Sequence, residues 1–129
     1  MPASWPAKMW TRREAAEKRG HIAELVALMY LRLKGYRLLA QRFKSPHGEI
    51  DLVMRRKDVT AFIEVKARHT TDKGVEAVSI TQSRRIAAAA RLWMARDSQS
   101  NRDFCRFDIV VVSPYLWPQH IENAFSGDA

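Results

Sequence analysis

Asp51, Glu64 and Lys66 sit inside two runs, GEIDLV and FIEVKAR, that otherwise read as buried strand. Asp51 is flanked by Ile50, Leu52 and Val53, and Glu64 and Lys66 alternate with Ile63 and Val65. Burying a lone charge is costly, so charges in such runs are paired, solvated or holding a metal. Side chains alternate along a strand, which puts Glu64 and Lys66 on one face. A hairpin closed by a two-residue turn at Lys57-Asp58 sets Asp51 directly opposite Glu64, with Cβ atoms roughly 4.5–5.5 Å apart. Two carboxylates that close repel unless a cation lies between them. Oxygen donors without a nearby thiolate favour Mg2+ or Mn2+ over Zn2+. Such a metal lowers the pKa of a bound water and stabilises charge on phosphoryl oxygens, and Lys66, one pleat along, can orient that water. The chemistry indicated is phosphodiester hydrolysis. The competing reading of the same residues is a solvated hairpin face of alternating charge.

The elements that must hold these residues follow from the flanking pattern. Residues 1–10 carry two prolines and no period, which predicts a loose arm ahead of a single domain over 11–129. Trp5 and Trp10 in that arm could stack on bases, but Trp10 is better explained as a packing staple. Thr11-Arg12-Arg13-Glu14 has the form of a capping box, so a helix should begin near Thr11. From there Ile22, Leu25, Val26, Met29 and Leu33 recur at helical spacing and predict one buried stripe. Gly35 is placed for a left-handed C-cap. Strands are expected over 36–43, 49–55 and 59–68, a second helix over 79–96 with Ile86, Ala89, Ala90, Trp93 and Met94 inward, and a strand over 104–113. The HTTDKG segment from His69 reads as a loop and the YLWPQHIENAF tail as irregular. Short turns make the first three strands antiparallel. The helical crossover makes the third and fourth parallel, giving a mixed four-stranded sheet flanked by helices.

Composition narrows the partner. Lys and Arg number 22 against 14 Asp and Glu, a net charge of +8 in 129 residues. The basic residues cluster, as in Arg12-Arg13, Arg55-Arg56-Lys57 and Arg84-Arg85, which favours a polyanion such as nucleic acid. Arg68, Arg84 and Arg85 are candidate phosphate contacts. A single cysteine, Cys105, excludes an internal disulfide framework, fits a reducing cytoplasm and reads as a small core residue. No stretch is apolar enough to span a bilayer, so no membrane partner is expected. Arg106 and Asp108 share a strand face and suit a structural pair. His47, in the turn before Glu49, is in reach of a phosphate, although a histidine without a task is the plainer reading.

The order GHIAE, LKGYRLL, GEIDLV, FIEVKAR, RRI, RFDIVVV and IENAF resembles the small bacterial YraN-like family of the PD-(D/E)XK nuclease superfamily, over nearly the whole chain. The resemblance implies a restriction-endonuclease-like αβββαβ core. It implies Asp51 and Glu64 as metal carboxylates, the Val65 carbonyl completing the metal shell, Lys66 as the catalytic lysine and Glu24 as the helical acid. The residues alone leave Glu24 equally an ordinary solvated carboxylate. Where the family often has a lysine near the start of the second helix, this chain has Gln82, which can bond a phosphate but brings no charge. The expectation is a Mg2+-dependent (or Mn2+-dependent) nuclease acting on DNA, working as a homodimer if it cuts both strands. The alternatives are a nuclease-fold DNA-binding module without useful catalysis, and a protein-interaction domain whose charge serves solubility.

Overall fold

The computed structural model describes residues 11–68, 78–99, 104–114 and 116–126. The expected arm with Trp5 and Trp10, and the loop that begins at His69, lie outside the described residues.

Thr11 caps helix α1 (Arg12–Leu33) with the full box: its Oγ1 accepts from the Glu14 N–H at 3.1 Å, and Glu14 accepts from the Thr11 N–H at 3.0 Å. The helix runs through Gly20 and ends at Lys34, followed by Gly35 at φ 94°, a conformation L side chains rarely adopt. Strands β1 (Arg37–Lys44), β2 (Glu49–Arg56) and β3 (Val59–Ala67) form the antiparallel meander, helix α2 (Ile80–Arg96) follows, and β4 (Phe104–Val112) lies parallel to β3. This is the expected αβββαβ core, with Arg56 paired to Val59 across the Lys57-Asp58 turn as the hairpin arithmetic requires.

Three corrections and one unforeseen irregularity follow. The sheet has five strands rather than four, in the order β1-β2-β3-β4-β5, because β5 (Gln119–Ile121) adds antiparallel to β4. It falls in the tail read as irregular, and a three-residue strand carries no readable alternation. Side chains hold it instead: the buried Asp108 carboxylate accepts from His120 Nε2 at 2.7 Å, from Arg106 Nε at 2.9 Å and from the Asn123 N–H at 3.0 Å. The ammonium of Lys34 has only protons to give, so His120 Nδ1 accepts from it (2.7 Å) and Nε2 carries the proton that Asp108 receives.

The second correction concerns α1. The stripe expected to be buried is the exposed one: Leu25 is 54% exposed, Met29 55% and Leu33 82%. Ala23, Ala27, Leu28 and Leu31 are buried instead, and the last three pack on Leu52, Met54, Ala61, Ile63 and Val110. Two alanines one turn apart let the helix approach the sheet closely, and the leucines fill the space beside them. Thirdly, Cys105 is exposed near the open end of β4, its sulfur 3.3 Å from that of Met94, because only the second half of β4 is covered. Lastly, β1 is not regular. Its register with β2 shifts between Leu38 and Ala40, and Arg42 takes φ 51°.

On the other sheet face Ile86, Ala89 and Ala90 of α2 pack on Ile50, Val53 and Phe62, with Trp93 and Met94 beside them, as expected. The molecule is therefore three layers, α1 on one face of the sheet and α2 on the other. Among the described residues no helix is long and apolar enough to cross a membrane.

Candidate functional site

The site forms where β2 and β3 part. Their ladder runs from Arg56–Val59 to Leu52–Ile63. One residue beyond it, the Asp51 side chain rather than its main chain takes the next β3 amide: Oδ2 accepts from the Val65 N–H at 2.8 Å. Asp51 is thereby anchored beside the residue between Glu64 and Lys66. Glu64 lies on the α2 face of β3 and is 9% exposed. Its Oε2 accepts from Gln82 Nε2 at 2.5 Å and pairs with Lys66 Nζ at 3.0 Å. Gln82 Oε1 lies 3.5 Å from the same ammonium. Ser79 caps α2 and accepts from the Gln82 N–H at 3.1 Å, which fixes this glutamine in the first turn of the helix. Gln82 thus bridges the two charged residues of β3.

Glu24 reaches the same region from α1. It lies on the Leu28–Leu31 stripe that faces the sheet, which explains its half-buried state. Its Oε1 accepts from Arg42 Nε at 2.8 Å. Burial pushes the Asp51 carboxyl up to about 8, and the Glu64 charge, a shared hydrogen bond with Glu64 and the Glu24 charge add to the rise. The bond from the Val65 amide opposes it without winning. The Lys66 ammonium pairs with Glu64 and does not offset the burial and negative charge that act on Asp51.

The structure thus brings Asp51, Glu64, Lys66, Val65, Glu24 and Gln82 together. It does not bring the arginines there. Arg68 stands past the end of β3, donating from Nη1 to the Ala67 carbonyl at 2.9 Å. Arg84 and Arg85 lie on the exposed side of α2, one turn beyond Gln82. Arg106 and Asp108 form the expected structural pair on the α1 side of the sheet. Among the described residues no group of three His, Cys, Asp or Glu is assembled as a metal cage. The donor set nevertheless suits a hard divalent cation. It consists of carboxylate oxygens with no sulfur, and one carboxyl is held protonated first by burial and then by the negative charge around it. Sequence reasoning missed the Arg42–Glu24 pair, since nothing local marks Arg42 as an inward strand residue. It also missed the Gln82 bridge, which joins residues 18 apart in sequence.

The family model described as "Uncharacterised protein family UPF0102" matches residues 23–112, a span that holds every residue of the site. A UPF0102 protein of Chelativorans sp. (strain BNC1) is 52% identical over 114 residues, 88% of this chain and 92% of the relative. One from Agrobacterium fabrum (strain C58) is 51% identical over 114 residues, 88% and 93% of the two chains. One from Rhizobium meliloti (strain 1021) is 49% identical over 115 residues, 89% and 94%.

Proposed function

The chain belongs to the UPF0102 family, the YraN-like proteins, and from that premise and the geometry at the parted strands we propose that it is a Mg2+-dependent nuclease that hydrolyses phosphodiester bonds in DNA. One observation carries this reading. The half-buried Asp51 lies against Glu64 and within the field of Glu24, with its carboxyl driven up to about 8, while Lys66 stands 3.0 Å from Glu64. A fold that served stability alone would not concentrate negative charge on a buried carboxyl.

Asp51, Glu64 and the Val65 carbonyl would hold Mg2+ (or Mn2+), with Glu24 adding charge and changing partner from Arg42 if it joins them. The metal supplies an activated water and a counter-charge for the phosphoryl oxygens. The chain's own residues do the rest. The Val65 amide fixes the Asp51 carboxylate in place. Lys66 presents its ammonium at the same point, where it can orient the attacking water or meet developing negative charge. Gln82 holds both side chains of the Glu64–Lys66 pair and keeps the ammonium from swinging into solvent. A net charge of +8 draws the polyanion in. One site per chain cuts one strand, so a break through both strands of a duplex takes two chains.

A metal-dependent cleavage assay on duplex, flapped, branched and single-stranded DNA tests the reading. Mg2+ should give cleavage that EDTA stops and Glu64→Ala abolishes. Lys66→Ala should lower the rate by about 10²–10⁴-fold with DNA affinity nearly unchanged. Cleavage that survives Glu64→Ala, or no cleavage of any form with Mg2+ or Mn2+, sinks it. The second reading, a DNA-binding module of the same fold without catalysis, is favoured by one feature. Glu64 already has an amide and an ammonium as partners, and Gln82 brings no second cation. Salt-dependent DNA binding without cleavage would establish that reading.

A further inference from the structure

The turn between β1 and β2 leaves a groove against α2 that the carboxylate site does not use. Ser45 folds the turn: its Oγ donates to the Gly48 carbonyl at 2.9 Å and accepts from the Gly48 N–H at 3.1 Å and the His47 N–H at 3.2 Å. The turn lies tightly on the helix, since a Cβ on Gly48 would stand 2.6 Å from the Arg85 carbonyl oxygen. The resulting groove, about 430 Å3, is lined by Lys44, His47, Glu49 and Arg85 together with the turn backbone.

Three features mark it as a site. The side chains of Lys44, His47 and Arg85 have no hydrogen-bond or ion-pair partner among the described residues, whereas those of Arg42, Lys66 and Arg106 all do. The turn's own polar groups are satisfied internally, so these side chains are left to something outside the chain. Both walls also lead into the carboxylate site. Arg85 is three residues past Gln82 on α2, about 4.5 Å of helix, and Glu49 is two residues before Asp51 on β2, about 6.8 Å of strand. Glu49 puts one negative charge in the groove, and Lys44, which faces it across the strands, sets a positive one beside it. Arg85 is then the uncompensated charge and His47 a further hydrogen-bonding group.

We propose that this groove seats a backbone phosphate of the nucleic acid next to the bond presented to Asp51 and Glu64, with Lys44 and Arg85 as its cations and His47 as a hydrogen-bond partner. The inference rests on the nuclease reading for what the neighbouring site does, but not for binding itself. It fixes the path of the strand, which enters or leaves over the seam where the Ser45–Gly48 turn meets α2.

Anisotropy titrations of a fluorescein-labelled 20-mer duplex, with EDTA present and salt stepped from 50 to 200 mM, test it apart from catalysis. Neutralising one phosphate contributes about −0.9 to the slope of log K against log salt. Lys44→Ala/Arg85→Ala should flatten the slope by about 1 and weaken binding at least tenfold at 50 mM salt. Arg37→Ala, which removes one exposed charge at the other end of β1, should weaken binding less than threefold. His47→Ala should weaken binding with the slope unchanged. Gly48→Ala keeps every charge but pushes the turn off α2, and it should reproduce the loss, with a thermal melt confirming that it folds. If the double variant matches Arg37→Ala, or the wild type does not bind at 50 mM salt, the groove is no phosphate seat. No cleavage by the wild type, with these changes in slope observed, would overturn the nuclease reading and leave the groove standing.

Discussion

Asp51 is a proton store as long as no cation replaces the proton. Its folded value, about 8, stands far above the 3.8 of an ordinary aspartate. Between those values the folded chain holds a proton that the unfolded chain has released. The contribution of Asp51 to stability therefore falls as pH rises from about 4 to about 8. Melts in EDTA at pH 5.5 and 8.5 should show the wild type losing stability at the higher pH, with Asp51→Asn losing clearly less. Equal losses in the two proteins would mean that Asp51 titrates normally. Glu64→Gln should also shrink the difference, because it removes the charge that acts most strongly on Asp51. Mg2+ should do the same in the wild type if the pair holds a metal. Asp108 is the opposite case. Burial raises its carboxyl, but bonds from His120, Arg106 and the Asn123 amide outweigh burial and hold it below the usual value. Asp108→Ala would remove the buried counter-charge of Arg106, leaving it Tyr36 and the exposed Glu122, and would leave the His120 Nε2 proton without its acceptor. It should cost about 3–5 kcal/mol in urea unfolding, far more than any single change at the carboxylate site.

At the scale of elements, α1 provides the sharpest test of the packing. Leu28→Ala should cost about 2–5 kcal/mol, the price of emptying a core position, while Leu25→Ala should stay within about 0.5 kcal/mol. The reverse order in denaturant titrations would turn the helix over. The sequence could not decide this, because α1 is apolar on both sides. The outward side carries the longer run of large side chains, while the side that meets the sheet mixes Ala23 and Ala27 with Leu28 and Leu31. The β2–β3 hairpin was legible for the contrary reason: a two-residue turn fixes the register, and alternation then fixes the face, so Asp51 and Glu64 could be brought together on paper. Strand β5 was not legible, since its place is set by Asp108 and His120 from separate segments. Nor was the irregularity of β1 at Arg42, which comes from a backbone conformation that arginine seldom adopts.

Taken whole, the molecule sets two unlike surfaces apart. Lys44 and Arg85, whose side chains have no partner among the described residues, flank the carboxylate site on the α2 side, and on the far side of the sheet α1 turns Ile22, Leu25, Val26, Met29 and Leu33 outward. The spacing of Ile22, Val26, Met29 and Leu33 alternates four, three and four residues, so they form one ridge along three turns. The two surfaces answer a sulfate solution in opposite senses. Added ions screen the cations and loosen a polyanion, while excluded sulfate strengthens every apolar contact the ridge can make. On a phenyl column loaded in ammonium sulfate, Leu25→Gln/Met29→Gln should elute earlier than the wild type with an unchanged melting temperature. On heparin the two proteins should elute together. A chain built this way lets go of its anions and takes hold of greasy surfaces under the same change of solvent.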